Sequence, residues 1–416
     1  MANVKRTPHC IFTPRTTAAA AFALKALKAH KTIFAIRSGG HSLNAGFSST
    51  SRGVVIDLKL LNTISVDRAA GTAKIGPGNR WVTVYRALEQ YDATIAGGRA
   101  APIGVGGFTL GGGLSFYLYE YGFGTDTVVE YEVVTADGEI LTVNKSSHPD
   151  LFVALKGSGG PFCLVTAFTY KLIPVAKDGV YGGVVASGNS TIPAILDEVA
   201  NFMKPGAGTS DFKSHLITML FMALTNGSDT GGVKKLAKFI SNACFYQDPV
   251  TTTPKVYEGV VAAAEKELLL STLRAPRSIA NITEEFGQPD DRSSQARAVA
   301  VPLTVINPTK KVLRGMEKIW SDAWADVVEN GEIDGLATTL FYIPMGQQGR
   351  GDNVLGLKKG TEYLQMFMSA SWTKESDDKR ARSLLTGLYE KMVEYVKREG
   401  QYSPWMYVPH NFRTFK

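Results

Sequence analysis

Two stretches of the chain carry residues whose types and spacing could do chemistry. Residues 37–49, RSGGHSLNAGFSS, place Arg37 and His41 on either side of Ser38, Gly39 and Gly40, between the apolar runs TIFAI and GVVIDL. Glycine takes backbone conformations closed to other residues and lets main chain approach a ligand closely. An imidazole beside such a bend is a nucleophile, a base or simply a hydrogen-bonding side chain. Residues 97–115, GGRAAPIGVGGFTLGGGLS, include Gly97, Gly98, Gly104, Gly106, Gly107, Gly111, Gly112 and Gly113. That density costs backbone entropy, and its return is a set of inward-pointing N–H groups of the kind that hold phosphate. One such loop reads equally well as tight turns in a β-rich domain. Two of them, RSGG at 37–40 and GVGG at 104–107, read as a clamp on one diphosphate. Arg37 is then either a phosphate partner or a scaffold ion pair. The chain has no GxxxxGK[ST] segment, and GVGGFT follows no strand of a βαβ unit, so neither a P-loop nor a Rossmann site is read here.

The elements that must position these loops follow from periodicity. CIFTPRTTAAAAFALKALKAHKTIFAI reads strand, helix, strand, with Thr16 or Thr17 as the helix cap. GVVIDL (53–58), TISV (63–66) and TAKIG (72–76) read as short strands, and WVTVYRALEQY (81–91) as a short helix. TVVEYEVVTADGEILTV reads as a hairpin turning at Asp137-Gly138. Past residue 176 the texture changes to amphipathic helices at 257–273, 309–329 and 376–398, with strands at 336–344 and 361–372. The fold class is α+β.

Composition limits the alternatives. With 416 residues, 44% of them apolar and 20% charged, the chain is a globular protein with a substantial core. The net charge of +7 is spread out, and the basic pairs at 234–235, 310–311 and 358–359 form no arm, which argues against a nucleic-acid partner. No apolar run reaches the roughly 20 residues a membrane span requires. Cys10, Cys163 and Cys244 lack CxxC spacing, so no zinc site is expected and at most one disulfide. MANVKRTPHCIFTPRTT has no signal-peptide core. The sequons at Asn144, Asn189, Asn226 and Asn281 keep a secretory history open, and localisation is left unassigned.

Taken together, these residues resemble the berberine-bridge-enzyme-like branch of the vanillyl-alcohol-oxidase flavoprotein superfamily, the fungal FAD-linked oxidoreductases above all. The likeness runs in order through IFTPRTT, RSGGHS, GVVIDLKLLNTISVD, IGPGNRW, the glycine stretch, YGFGTDTVVEYEVVTADGEI and PDLFVALKGSGG. It continues more weakly through DNVLGL (352–357) and MSASW (368–372). The resemblance implies a PCMH-type FAD-binding domain of two α/β subdomains at 1–175. It also implies a substrate domain at 176–373, an antiparallel sheet covered by helices, and a C-terminal segment, 374–416, returning to the FAD domain. The cofactor implied is FAD. Arg37, Ser38, Gly39, Gly40 and Ser42 would lie near its pyrophosphate. Gly104, Gly106, Gly107, Thr109, Gly112 and Gly113 would surround pyrophosphate and ring. Asp126 and Val128 would line the cofactor, and Val165 would meet the adenosine end. His41 falls where relatives bond the flavin 8α-methyl carbon. Ala100 stands where some relatives carry a second, cysteinyl link, so the attachment implied is monocovalent. Ile103 falls where some relatives control oxygen access.

The sequence also departs from that pattern. GSGGPFCLVT (157–166) replaces GGGNNFGIVT, and Pro161 removes a backbone donor on the adenine side. Leu43 stands where plant relatives often have Tyr, and the tail WMYVPHNFRTFK lacks the YxNYxD-like pattern. The resemblance implies hydride removal from a small organic molecule, a secondary-metabolite intermediate, by an oxidase that passes the electrons to molecular oxygen or by a dehydrogenase. A carbohydrate oxidase and a non-catalytic flavin- or ligand-binding descendant are the alternatives. Tyr342, Gln365 and Tyr407 are the catalytic candidates, with Tyr363 beside them. Each reads equally as an ordinary sheet or core residue.

Overall fold

The computed structural model describes residues 6–43, 45–226, 234–287, 296–329, 333–347 and 351–404. The first half holds two main sheets, besides the two-stranded pair Ala93–Thr94 with Ile173–Pro174. In one, Val54–Asp57 lies between Cys10–Phe12 and Phe34–Arg37, all parallel. The crossover helix Thr17–Ala29 starts at Thr16, whose side chain accepts from Ala19 N–H at 3.1 Å, the cap the sequence proposes. Ala20, Ala21 and Leu24 bury against Ile56 and Leu164. The other sheet is antiparallel, in the order Ile64–Asp67, Thr72–Ile75, Leu164–Lys171, Val128–Val134, Ile140–Asn144. The last two strands form the expected hairpin, with Gly138 supplying φ 81° at its turn. Helix Trp81–Glu89 lies in this sheet's core, burying Trp81, Val84 and Leu88 with Phe168 and Tyr170.

From Val180 the chain builds one eight-stranded antiparallel sheet. Its order is Leu268–Ser271, Val180–Gly188, Lys234–Tyr246, Ser214–Asn226, Ala337–Gln347, Glu362–Trp372, Arg297–Ile306, and Arg274–Arg277 pairs with Val180–Gly188. Helices Ile192–Phe202, Lys310–Glu329 and Asp378–Arg398 share one large core with it. Val312, Leu313, Met316, Trp320 and Trp324 recur at three- and four-residue spacing, which puts one continuous stripe of the long helix on the sheet.

Three expectations change. The stretch 257–273 is not one helix: helix Glu258–Ala264 ends in a short turn, and Leu268–Ser271 becomes an edge strand with its leucines exposed. Helix Ile279–Glu285 leaves the sheet half and buries Ile279, Ala280 and Ile282 in the core around Trp81, with Thr283 O accepting from Ala101 N–H at 3.1 Å. Helix Asp378–Arg398, the described part of the segment expected to return to the first half, packs with the sheet half, and residues 405–416 of that segment lie outside the described residues. Its apolar stripe, Ala381, Leu385, Leu388, Met392 and Val396, sinks into the larger core. Arg297 Nη2 and Trp372 Nε1 pin its start, donating to Asp378 at 2.6 and 2.9 Å. All three cysteines are free, so the one bridge the sequence left open is not formed. Among the described residues no helix is long and apolar enough to cross a membrane.

Candidate active site

The two glycine loops meet. A Cβ on Gly39 would lie 2.5 Å from Gly104 Cα, so backbone touches backbone and no larger residue fits. Ser38 ties the contact together, donating its hydroxyl to Pro77 O at 2.5 Å and accepting from Gly106 N–H at 3.1 Å. Arg80 spans both loops: its guanidinium donates to Gly39 O at 3.0 Å and to Pro102 O. Val105 N–H adds a bond to Asn79 O at 3.1 Å. The IGPGNRW turn is therefore the clasp that holds the loops. Arg80 is a residue that sequence reasoning missed. Its signal was an Arg at the cap position of helix Trp81–Glu89, where a short polar side chain would be the usual choice.

Beside this clasp the backbone borders free space, since a Cβ on Gly107, in the first turn of helix Val105–Leu110, would meet nothing within 4 Å. His41 lies exposed at the same loop, with Ser42 half-buried next to it. Protein crowding around the imidazole, and then the Arg80 guanidinium, lower its pKa and keep it neutral. Backbone bordering open space, a guanidinium and a neutral imidazole suit a diphosphate-linked ring system, so the residues present fit FAD.

The remaining predicted positions divide. Arg37 is the scaffold alternative, with Nη2 2.9 Å from Asp57 Oδ2. Thr109 is interior, its hydroxyl bonded to Val105 O at 2.7 Å and to Tyr170 Oη at 2.5 Å. Gly112 and Gly113 take φ 102° and 82°, and their carbonyls accept from Thr125 and Gly124 N–H at 2.9 and 2.8 Å. Gly97 and Gly98 let the chain cross the Trp81 indole. Val128 and Val165 are buried in the five-stranded sheet. Asp126 holds the turn behind Gly113, accepting from Phe123 N–H at 2.9 Å and from Asn353 Nδ2 at 2.8 Å. Burial raises its pKa.

Asn353 belongs to a strap, residues 351–355, that crosses from the sheet half onto the cofactor half. Val354 N–H donates to Lys156 O at 3.0 Å, and Leu355 packs so closely on Gly157 that a Cβ there would strike it. Next along the chain, Gly159 N–H donates to Leu110 O at 2.7 Å, at the end of the glycine helix.

The sheet half supplies an aromatic wall. Phe221 stacks on Phe239 at 4.8 Å and Phe341 on Phe367 at 3.9 Å, all half-buried. Cross-strand partners share a face, so the pairs Phe221–Phe239 and Met219–Phe341–Phe367 form one surface. Alternation puts His215 and Phe245 on it too. Phe245 stacks on Phe116 at 4.6 Å, and His215 Nε2 lies 2.7 Å from Arg99 Nη1, so this face looks toward the cofactor half. Burial, then Arg99, push the His215 pKa well down, so the neutral ring accepts from Arg99 through Nε2 and carries its proton on Nδ1. Gln365, two residues from Phe367, lies on the same face and donates to Met366 O at 2.9 Å. Tyr342 points the other way. Its hydroxyl donates to Leu313 O at 2.9 Å under the long helix, and burial raises its pKa well above the usual phenol range. Tyr363 Oη accepts from Lys358 N–H at 2.9 Å. Tyr407 lies outside the described residues.

Paired glycine loops in a two-sheet cofactor half, docked on a helix-backed antiparallel sheet, define a PCMH-type flavoprotein. The chain belongs to the family of fungal FAD-dependent monooxygenases and FAD-linked oxidoreductases, and it is an FAD-dependent oxidoreductase. Residues 8–144 match the FAD binding domain family. An FAD-dependent monooxygenase of Aspergillus calidoustus is 30% identical over 380 residues, covering 90% of this chain and 69% of the relative. Among solved structures, 6-hydroxy-D-nicotine oxidase of Arthrobacter nicotinovorans superposes with TM-score 0.76 at 16% identity, covering 99% of this chain and 85% of that one. Berberine bridge enzyme of Eschscholzia californica gives 0.71 at 18% identity, with 96% and 78% covered.

Proposed function

We propose that the protein removes a hydride from a flat, largely apolar organic molecule, a secondary-metabolite intermediate, using FAD bonded to His41. Bound FAD supplies the hydride acceptor. The rest falls to the chain. The Arg80 clasp and the glycine loops hold the diphosphate, and neutral His41 has the lone pair that attachment requires. The aromatic wall carries the substrate reading: stacked phenyl rings bind planar π-systems, whereas a sugar needs a pocket rich in hydrogen-bonding groups. Gln365 is a polar group on that face that would orient the substrate.

Two measurements test this. In acid, flavin stays with the wild-type polypeptide and comes away from His41→Ala; acid-stable flavin in that variant would end the assignment. Because the His41 pKa is lowered, flavin added to flavin-free protein becomes attached even below the usual imidazole range, and the rate of attachment falls only at more acid pH. Under anaerobic conditions planar phenolic or polyketide compounds bleach the flavin's visible absorbance and oligosaccharides do not, and the reverse result replaces this reading with a carbohydrate oxidase. Bleaching by neither class favours the non-catalytic descendant. The naming of the Aspergillus calidoustus relative as a monooxygenase favours a second outcome, in which oxygen both accepts the electrons and enters the product. Incorporation of heavy oxygen from labelled dioxygen separates the two.

A further inference from the structure

A cleft of about 630 Å³ opens on the cofactor half, within the range of pockets that take small organic ligands. None of residues 37–42 or 104–113 lines it, while Asp126 and Val128, expected beside the cofactor, stand in its wall. It lies where Glu130 pairs with Thr169, whereas Val165, expected at the adenosine end, pairs with Val133. At about 3.3 Å per residue, Val165 and Thr169 are separated by about 13 Å of strand. The glycine clasp and this cleft are thus different places on the same half.

Lys156 sits in the cleft wall at 4% exposure. Its ammonium lies 4.4 Å from the centroid of the Phe152 ring. Among the described residues it has no hydrogen bond and no carboxylate within ion-pairing distance. An ammonium has three protons to donate, and with the Phe152 ring on one side those of Lys156 open onto the cleft. The carboxylates of the lining have other hydrogen-bond or ion partners, and Asp126 and Asp352 act on the Lys156 charge only from a distance. Asp126 accepts from Phe123 and Asn353, Glu130 accepts from Asn144 Nδ2 at 3.1 Å, and Asp352 faces Lys145 at 3.9 Å. A further ammonium, that of Lys171, stands at the exposed rim, and the rings of Phe152 and Tyr121 form part of the wall. Burial, opposed by Asp126, lowers the Lys156 pKa, as befits an amine whose acceptor is not part of the protein.

We propose that this cleft binds a small organic anion, with a carboxylate or phosphate oxygen on Lys156, Lys171 assisting at the rim, and the body of the molecule against Phe152 and Tyr121. The flavin-loaded protein is titrated calorimetrically with inorganic phosphate and, separately, with benzoate. Saturable binding of either is expected, and which of the two binds more tightly identifies the source of the oxyanion. Lys156→Met weakens binding roughly tenfold or more, the worth of one charge-assisted hydrogen bond, while Lys156→Arg keeps most of it. Lys171→Gln, at an exposed position that leaves the fold intact, weakens it a few-fold. In parallel, acetylation of Lys156 followed by mass spectrometry is slowed by the bound anion. The proposal falls if neither anion saturates, if Lys156→Met binds like wild type, or if the anion leaves Lys156 acetylation unchanged.

Discussion

Gly39 and Gly104 touch backbone to backbone in the cofactor half, whereas Phe341 and Phe367 meet ring to ring on neighbouring strands of the sheet half. At the first contact there is no side chain to vary, and geometry depends on the main chain alone. At the second, two half-buried side chains make the surface, and the strands beneath are held by their own hydrogen bonds. The first region should therefore tolerate almost nothing. The second should accept substitutions that change what is bound without disturbing the fold.

Gly104→Ala should have the largest effect. Its methyl collides with Gly39 backbone, and overpacking of about 3 kcal/mol corresponds, in a His41→Ala background, to a loss of affinity for flavin of roughly a hundredfold. Flavin retained at wild-type level after purification would show that the loops can part. Arg80→Met comes next, because it removes donors to both loops. In a His41→Ala background, where dissociation can be measured, flavin affinity should fall by roughly thirtyfold, or about 2 kcal/mol. Phe367→Ala should raise KM for an aromatic substrate by about tenfold, with the flavin spectrum unchanged. A changed spectrum would mean that the two regions are not separable in this way. Tyr342→Phe should cost about 1 kcal/mol in thermal unfolding, with kcat intact. A large fall in kcat would return Tyr342 to the chemistry.

The same contrast explains what could be read from the sequence. Glycines forced by close approach leave a mark in one dimension, so the Gly39 and Gly104 loops were visible, as were the Asp137-Gly138 hairpin and the long helix Lys310–Glu329. The aromatic wall was not visible. Phe221, Phe239, Phe341 and Phe367 lie on four strands, and only the register brings them together. Tyr342 and Gln365 illustrate the same limit, because alternation sends one under the helices and the other toward the cofactor half, which strand identity alone does not reveal. Helix 257–273 was misread because LLL at 268–270 continues an apolar period, yet pairing with Val180–Gly188 satisfies its backbone as an edge strand. Arg80 was hidden for another reason: its partners are carbonyl groups, which have no letter in the sequence.

The strap at 351–355 has a consequence for how the chain folds. Leu355 against Gly157 and Asn353 on Asp126 are contacts between residues about 200 apart in sequence, formed only after the sheet half has positioned its strands. Ordering of the 157–160 turn and of the end of the glycine helix is thereby delayed until the second half is in place, as contacts of such long sequence separation form late. Residues 1–175 made alone should populate native-like secondary structure yet leave the amides of 157–160 open to hydrogen exchange, and supplying residues 176–416 in trans should close them.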